Sequence, residues 1–125
     1  MIHLDTSFLI RALVPGSGED RRLRVWLATG TTVAMSVIAW AEFLCGPLAV
    51  DHQVLAARVV GEPVAFEASD AQLTAVLFNG SGRRRGTLAD CMIAAAAIRA
   101  NARLATADPR DFAGFVPDGL ALADG

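Results

Sequence analysis

The chain has 125 residues, about the size of one domain, and at 54% hydrophobic it can fill a core without metal or disulfide staples. Its net charge of −2 excludes the global basic field on which many nucleic-acid binders rely. No unbroken apolar run reaches the roughly 20 residues of a membrane span. Met1-Ile2-His3-Leu4-Asp5 also puts an acid where a secretory signal carries basic residues. One domain over residues 1–125 in the cytoplasm, with no membrane association, is therefore expected. Cys45 and Cys91 are expected as isolated, buried thiols.

Ile2-His3-Leu4 predicts a short strand, followed by a helix over 7–14 that Pro15-Gly16 ends. Residues 19–29 read as an amphipathic helix with Leu23, Trp26 and Leu27 on one face. Val33-Ala34-Met35 predicts a second strand, and Ser36 then caps a helix running to Cys45, stopped by Gly46-Pro47. A helix over 48–60, a strand at 64–66 and a helix over 70–78 capped by Ser69 come next. A long helix over 88–101, a strand at 103–106 and a further short strand at 120–122 complete the pattern. Strands alternating with helices imply an α/β fold with a four- to five-stranded parallel sheet flanked by helices. In such sheets function collects beyond the carboxyl ends of the strands.

Three acids each have an ordinary explanation when taken singly. Asp5 sits where a helix N-cap belongs, and Thr87-Leu88-Ala89-Asp90 resembles a capping box with aspartate for Glu or Gln. Asp108-Pro109, with Asp111 just beyond, reads as a helix start. Glu42 has no such explanation. It is the single charge between Arg24 and Asp51, among Trp40, Ala41, Phe43 and Leu44, with no arginine at helical spacing. Asp90 heads a helix that is apolar on every side, so a carboxylate entering the core there needs compensation. In a parallel sheet all four positions can face one edge, where crowded carboxylates call for a cation. Oxygen donors without a histidine or cysteine cluster point to Mg²⁺ or Mn²⁺ rather than zinc. His3 and His52 need no role beyond packing or surface. All 11 basic residues are arginine, and Arg83-Arg84-Arg85 lies in a glycine-flanked loop just before the helix that bears Asp90.

Four segments resemble the motifs of the PIN-domain family, and within it the VapC-type toxins of bacterial toxin–antitoxin pairs. Ile2-His3-Leu4-Asp5-Thr6-Ser7 resembles the first motif, a strand ending in Asp before Ser/Thr residues. The segment from Ser36 to Phe43, carrying Glu42, resembles the second. Gly86 to Ala95, with Asp90 at its centre, resembles the third, and Leu104 to Phe112 the fourth. The resemblance implies a PIN-like three-layer sandwich with five parallel strands, Mg²⁺ or Mn²⁺ at the acidic site, and cleavage of RNA. It also implies a homodimer and a cognate antitoxin whose C-terminal segment occupies the active-site groove.

On this reading Asp5, Asp90 and Asp108 hold the metal, and Glu42 orients or deprotonates the water that hydrolyses the phosphodiester. Asp108 is favoured over Asp111 because it directly follows a strand. Ser7 and Thr106 are accessory candidates. Arg83, Arg84 and Arg85 supply the basic rim that RNA needs beside an acidic site. A phosphohydrolase acting on small phosphate esters is disfavoured, because the haloacid-dehalogenase pattern needs an acid where Ser7 stands. An adhesion-type metal module needs serine at Leu9. A non-catalytic PIN module that only binds RNA or protein is argued against by all four acidic positions being filled.

Overall fold

Ile2, His3 and Leu4 are all buried, so the first strand, β1 (Ile2–Leu4), is covered on both faces, as its short apolar run implies. It lies in the middle of a four-stranded parallel sheet of order β2-β1-β3-β4, with β2 at Val33–Ala34, β3 at Arg103–Ala105 and β4 at Ala121–Leu122. Ile2 is level with both Val33 and Arg103, and Leu4 is level with Ala105. The carboxyl ends of β1 and β3 therefore meet at one edge of the sheet. The structure, a computed structural model, describes residues 1–84 and 86–123.

Six α-helices flank the sheet among the described residues: α1 (Thr6–Ala12), α2 (Gly18–Ala28), α3 (Val37–Cys45), α4 (Val50–Val60), α5 (Ala68–Gly80) and α6 (Leu88–Arg99). Two 3-10 turns, Pro109–Asp111 and Ala113–Asp118, lie between β3 and β4. Phe8 of α1 stacks on Trp26 of α2 with ring centroids 5.5 Å apart, and the Arg22 guanidinium lies 5.2 Å from each ring. α6 buries Cys91, Ile93 and Ala94 to Ala97, and these small side chains let it pack closely against α5, α3 and β3. No helix of the described residues is long and apolar enough to cross a membrane.

Away from the acids, three departures from the sequence reading stand out. The expected strand at 64–66 is reduced to a single bridge between Val64 and Ser36, outside β2. The backbone groups beyond it are taken by side chains. The Ala65 carbonyl accepts from Arg99 Nη2 at 3.0 Å, and the Glu67 N–H donates to Asp70 Oδ2 at 2.9 Å. The same Asp70 contact starts α5 at Ala68, before the expected residue 70, and displaces Ser69 as its cap. Cys91 is buried as expected, and burial pushes its thiol pKa up, but Cys45 is exposed at the end of α3.

His3 is 1% exposed, and neither ring nitrogen has a hydrogen-bond partner among the described residues. Burial, followed by the charges of Arg99 and the N-terminus, lowers its pKa from 6.5 to about 4. Because the folded value lies below the unfolded one, the imidazole carries no protonation-linked cost at neutral pH, only that of its unpaired nitrogens. The unfolded chain takes up a proton first as the medium is acidified. About 3 kcal/mol of stability is thus expected to drain away between the two values. His3→Leu should flatten that stretch of the stability curve, as read by denaturant titrations across the window. A curve identical to that of the parent would clear His3 of the effect.

Candidate acidic site

Asp5 follows β1 and caps α1, and it is 4% exposed. Its Oδ1 accepts from the Phe8 N–H and from Ser7 Oγ, both at 2.8 Å. Its Oδ2 accepts from Thr106 Oγ1 at 2.5 Å, across the sheet from the end of β3. The two hydroxyls also accept: Ser7 Oγ from the Ala107 N–H at 3.1 Å, and Thr106 Oγ1 from the Asp108 N–H at 3.0 Å. Ser7 and Thr106 thereby lash the ends of β1 and β3 together around one carboxylate. Burial raises the Asp5 pKa, Asp108 adds to that, and the bonds from Thr106, Phe8 and Ser7 oppose it. Asp5 is thus both a helix cap and a site residue, and Oδ2 keeps a lone pair for a further partner.

Thr106→Val should test this lashing. Loss of its bond to Asp5 and of the acceptor for Asp108 is expected to cost about 1–2 kcal/mol, while Thr106→Ser should restore most of it. Equal melting of all three proteins would show that the lashing contributes nothing.

Asp90 lies in the first turn of α6, and the capping box suggested by Thr87 does not form. Thr87 has helical rather than extended backbone angles, and its hydroxyl donates to the Arg84 carbonyl at 2.7 Å. Among the described residues the Asp90 carboxylate makes no hydrogen bond. Its pKa is raised from 3.8 to about 6, first by burial and then by the charges of Asp111, Glu42, Asp5 and Asp108, in that order. Acids from β1's end, α3, α6 and the first 3-10 turn therefore act on one point. Asp108 and Asp111 are both exposed. Asp108 bears on Asp5, whereas Asp111 is the strongest charge acting on Asp90. The 3-10 turn thus brings two acids to the cluster. Asp108 makes no side-chain capping bond there.

Glu42 is exposed rather than embedded, since α3 buries only Ala39 and Phe43. Its Oε1 accepts from Thr6 Oγ1 at 3.0 Å, sharing that hydroxyl's one proton with the Ala39 carbonyl at 3.0 Å, so a hydroxyl rather than a counter-charge lies against it. Thr6 is the positioning residue that sequence reasoning missed. Its signal was the run Asp5-Thr6-Ser7, in which the first hydroxyl turns to α3 and the second back to Asp5. Of the three loop arginines, Arg83 and Arg84 are exposed, and Arg85 lies outside the described residues. His52 stands apart, in an apolar depression with Ile10 and Phe43.

The sequence matches the PIN domain family model over residues 2–115. The chain belongs to the PIN domain family. No curated protein matches it. Solved structures share its fold, three of them as follows. VapBC2 from Rickettsia felis, bound to a DNA fragment from their promoter, superposes with TM-score 0.78 at 23% identity, covering 100% of this chain and 99% of that one. FitAcB from Neisseria gonorrhoeae gives TM-score 0.70 at 24% identity, with 99% and 97% covered. FitAB bound to an IR36 DNA fragment gives 0.71 at 24% identity, with 98% and 94% covered. The PIN-like α/β sandwich expected from the sequence is the fold observed, with four strands among the described residues rather than the five implied by the resemblance.

The donor set of this PIN domain suits a hard divalent cation, because the side chains whose charges bear on Asp90 are all carboxylates and add to the burial that raises it. They are spread apart rather than closed into a cage. Among the described residues no three acid, histidine or cysteine side chains are grouped tightly enough to ligate one ion directly. That openness suits Mg²⁺, which commonly keeps several waters and takes only one or two carboxylates.

Proposed function

We propose that this chain is a Mg²⁺- or Mn²⁺-dependent endoribonuclease, the toxin of a toxin–antitoxin pair, working as one domain in the cytoplasm. The observation that carries the reading is the convergence of Asp5, Glu42, Asp108 and Asp111 on Asp90, which by itself makes an ionised cluster costly. Asp5, Asp90 and Asp108 would hold the ion, directly or through water. An ion held there would lower the pKa of water and offset charge on the phosphoryl oxygens.

The chain's own groups do the rest. Asp5 is kept in one rotamer by Ser7, Phe8 and Thr106, so its free lone pair is fixed in direction before any ligand arrives. Glu42, with Thr6 against it, is available to orient the attacking water and accept its proton. Ser7 is not the nucleophile. Its hydroxyl proton is engaged by Asp5, and neither histidine stands beside it as a base.

The partner assignment rests on likeness to VapBC2 and FitAB, whose names denote two-component assemblies. That likeness supports a cognate antitoxin as partner, and the resemblance to VapC-type toxins is what suggests a homodimer. Incubating the purified protein with single-stranded RNA and Mg²⁺ or Mn²⁺, with and without chelator, tests the reading. Cleavage that chelator abolishes is expected. Turnover of a small phosphate ester with RNA left intact would favour the phosphohydrolase alternative, and RNA binding without cleavage in either metal would favour a non-catalytic module.

A further inference from the structure

Beside the acids, a cleft of about 180 Å³ opens between the α5–α6 loop and the two 3-10 turns. Ser81, Arg84 and Thr87 line one side of it, and Arg110, Asp111 and Phe115 the other. Asp111 belongs to both the cleft and the acid cluster, since it is also the strongest charge acting on Asp90. Arg110 lines a second, adjoining depression with Asp108, so one arginine borders the cleft and the acids alike.

The loop is bent into this position. Gly82 and Arg83 take left-handed backbone angles in succession, with φ of 91° and 56°, and Gly86 follows with 87°. Arg83, an L residue in a conformation that favours glycine, is held there by its N–H bond to the Phe78 carbonyl at 3.0 Å. The bend takes Arg83 out of the cleft lining and leaves Arg84 in it, with the Arg84 carbonyl tied to Thr87.

The hydroxyls in the cleft have their protons engaged inward. Ser81 Oγ donates to the Phe78 carbonyl at 3.2 Å, and Thr87 Oγ1 to Arg84. Among the described residues, neither Arg84 nor Arg110 forms an ion pair or donates a side-chain hydrogen bond. Two guanidinium forks against one carboxylate leave the cleft net positive, with donors matched to phosphate oxygens.

We propose that this cleft is an RNA subsite in which Arg84 and Arg110 grip the backbone phosphate next to the one being cleaved. The assignment rests on the endoribonuclease reading and deepens it. A strand crossing the acids meets repulsion at the scissile phosphate, and the neighbouring phosphate anchors it. Single-stranded RNA of several nucleotides is then favoured over a dinucleotide, which has no second phosphate to offer.

The test separates binding from chemistry. Affinity for a short single-stranded RNA is measured in chelator over a range of salt, for the parent protein and for Arg84→Ala, Arg110→Ala, Arg110→Lys and Arg58→Ala. Each alanine variant in the cleft is expected to bind about tenfold more weakly, with a salt slope shallower by about 0.7, the share of one phosphate contact in a single strand. Arg110→Lys should keep the slope and lose part of the affinity, because an ammonium supplies charge without the fork. Arg58, on the outer side of α4, should behave as the parent. With metal present, the cleft variants should raise KM for RNA with little change in kcat, and should shrink the preference for longer RNA over a dinucleotide. Wild-type affinity, slope and preference in both alanine variants would overturn the subsite while leaving the nuclease reading intact. If the parent neither binds nor cleaves single-stranded RNA, the nuclease reading fails, and the subsite fails with it.

Discussion

Arg99→Met should be among the most destabilising single substitutions in this chain, with an expected loss of about 2–3 kcal/mol after allowance for the partly exposed guanidinium. Asp70 is fully buried, and its Oδ1 takes the Arg99 Nε–H at 2.5 Å. Removing the guanidinium leaves that carboxylate without its counter-charge in a dry setting, and frees the Ala65 carbonyl as well. The more distant contact to Glu67, at 3.8 Å and exposed, adds little. The double replacement Arg99→Met with Asp70→Leu should recover much of the loss, since a buried pair exchanged for apolar groups of similar size is often neutral. Urea unfolding of the two single variants and the double variant provides the cycle. Additive losses would mean that the pair is not the interaction at stake.

Asp90→Asn is expected to reduce RNA cleavage at least about a hundredfold. The same change should make the protein more stable at neutral pH. The sign follows from the raised pKa. A carboxyl that titrates at about 6 in the folded state and 3.8 in the unfolded chain contributes its stability at acid pH, and that contribution is lost as pH rises through 6. The parent therefore carries a neutral-pH penalty that asparagine lacks. After allowance for partial exposure, the penalty is about 1–2 kcal/mol. Thermal melts in chelator should show Asp90→Asn above the parent at pH 7, with the gap closing on acidification toward the unfolded value. Stability traded against activity at one residue would mark Asp90 as kept for chemistry. A variant that melts lower at pH 7 would contradict the electrostatic account, and one that cleaves RNA normally would remove Asp90 from the mechanism.

The alternation of apolar runs with helical segments was enough to place β1, β3 and the long helix α6, because their burial is encoded locally. Asp5 shows the limit of weighing local explanations against functional ones. Cap and site were set up as alternatives, yet one oxygen serves the α1 backbone while the other faces β3. For Asp90 the capping box fails because Thr87 takes helical backbone angles, and Asp108, although it does precede a turn that starts at Pro109 with Asp111 in it, fails to make a side-chain capping bond. Neither failure is visible in residue identities. Glu42 drew notice for its apolar neighbours, but its exposure is decided by how α3 lies against the body, which helical spacing alone does not fix. Asp70 drew no notice, since a first-turn acid is ordinarily a surface residue. Its partner lies 29 residues away on another helix, so only the packing of α5 on α6 brings the pair together. The weak strand at 64–66 was misread for the same reason, as side chains from afar claimed its backbone.

That last segment has a consequence for the behaviour of the protein in a crowded solution. An open parallel sheet ends in a row of unpaired backbone groups, a template for another chain to add to. On the β2 side the Val64 N–H donates to the Met35 carbonyl at 2.9 Å, and the Val64 carbonyl accepts from the Val37 N–H at 2.8 Å. One residue thus stops the row, and Arg99 takes the next carbonyl. The segment is too short to act as a strand and so presents no fresh edge of its own. It covers the sheet edge just beyond β2, from Met35 to Val37, and so shortens the stretch on which another chain could pair.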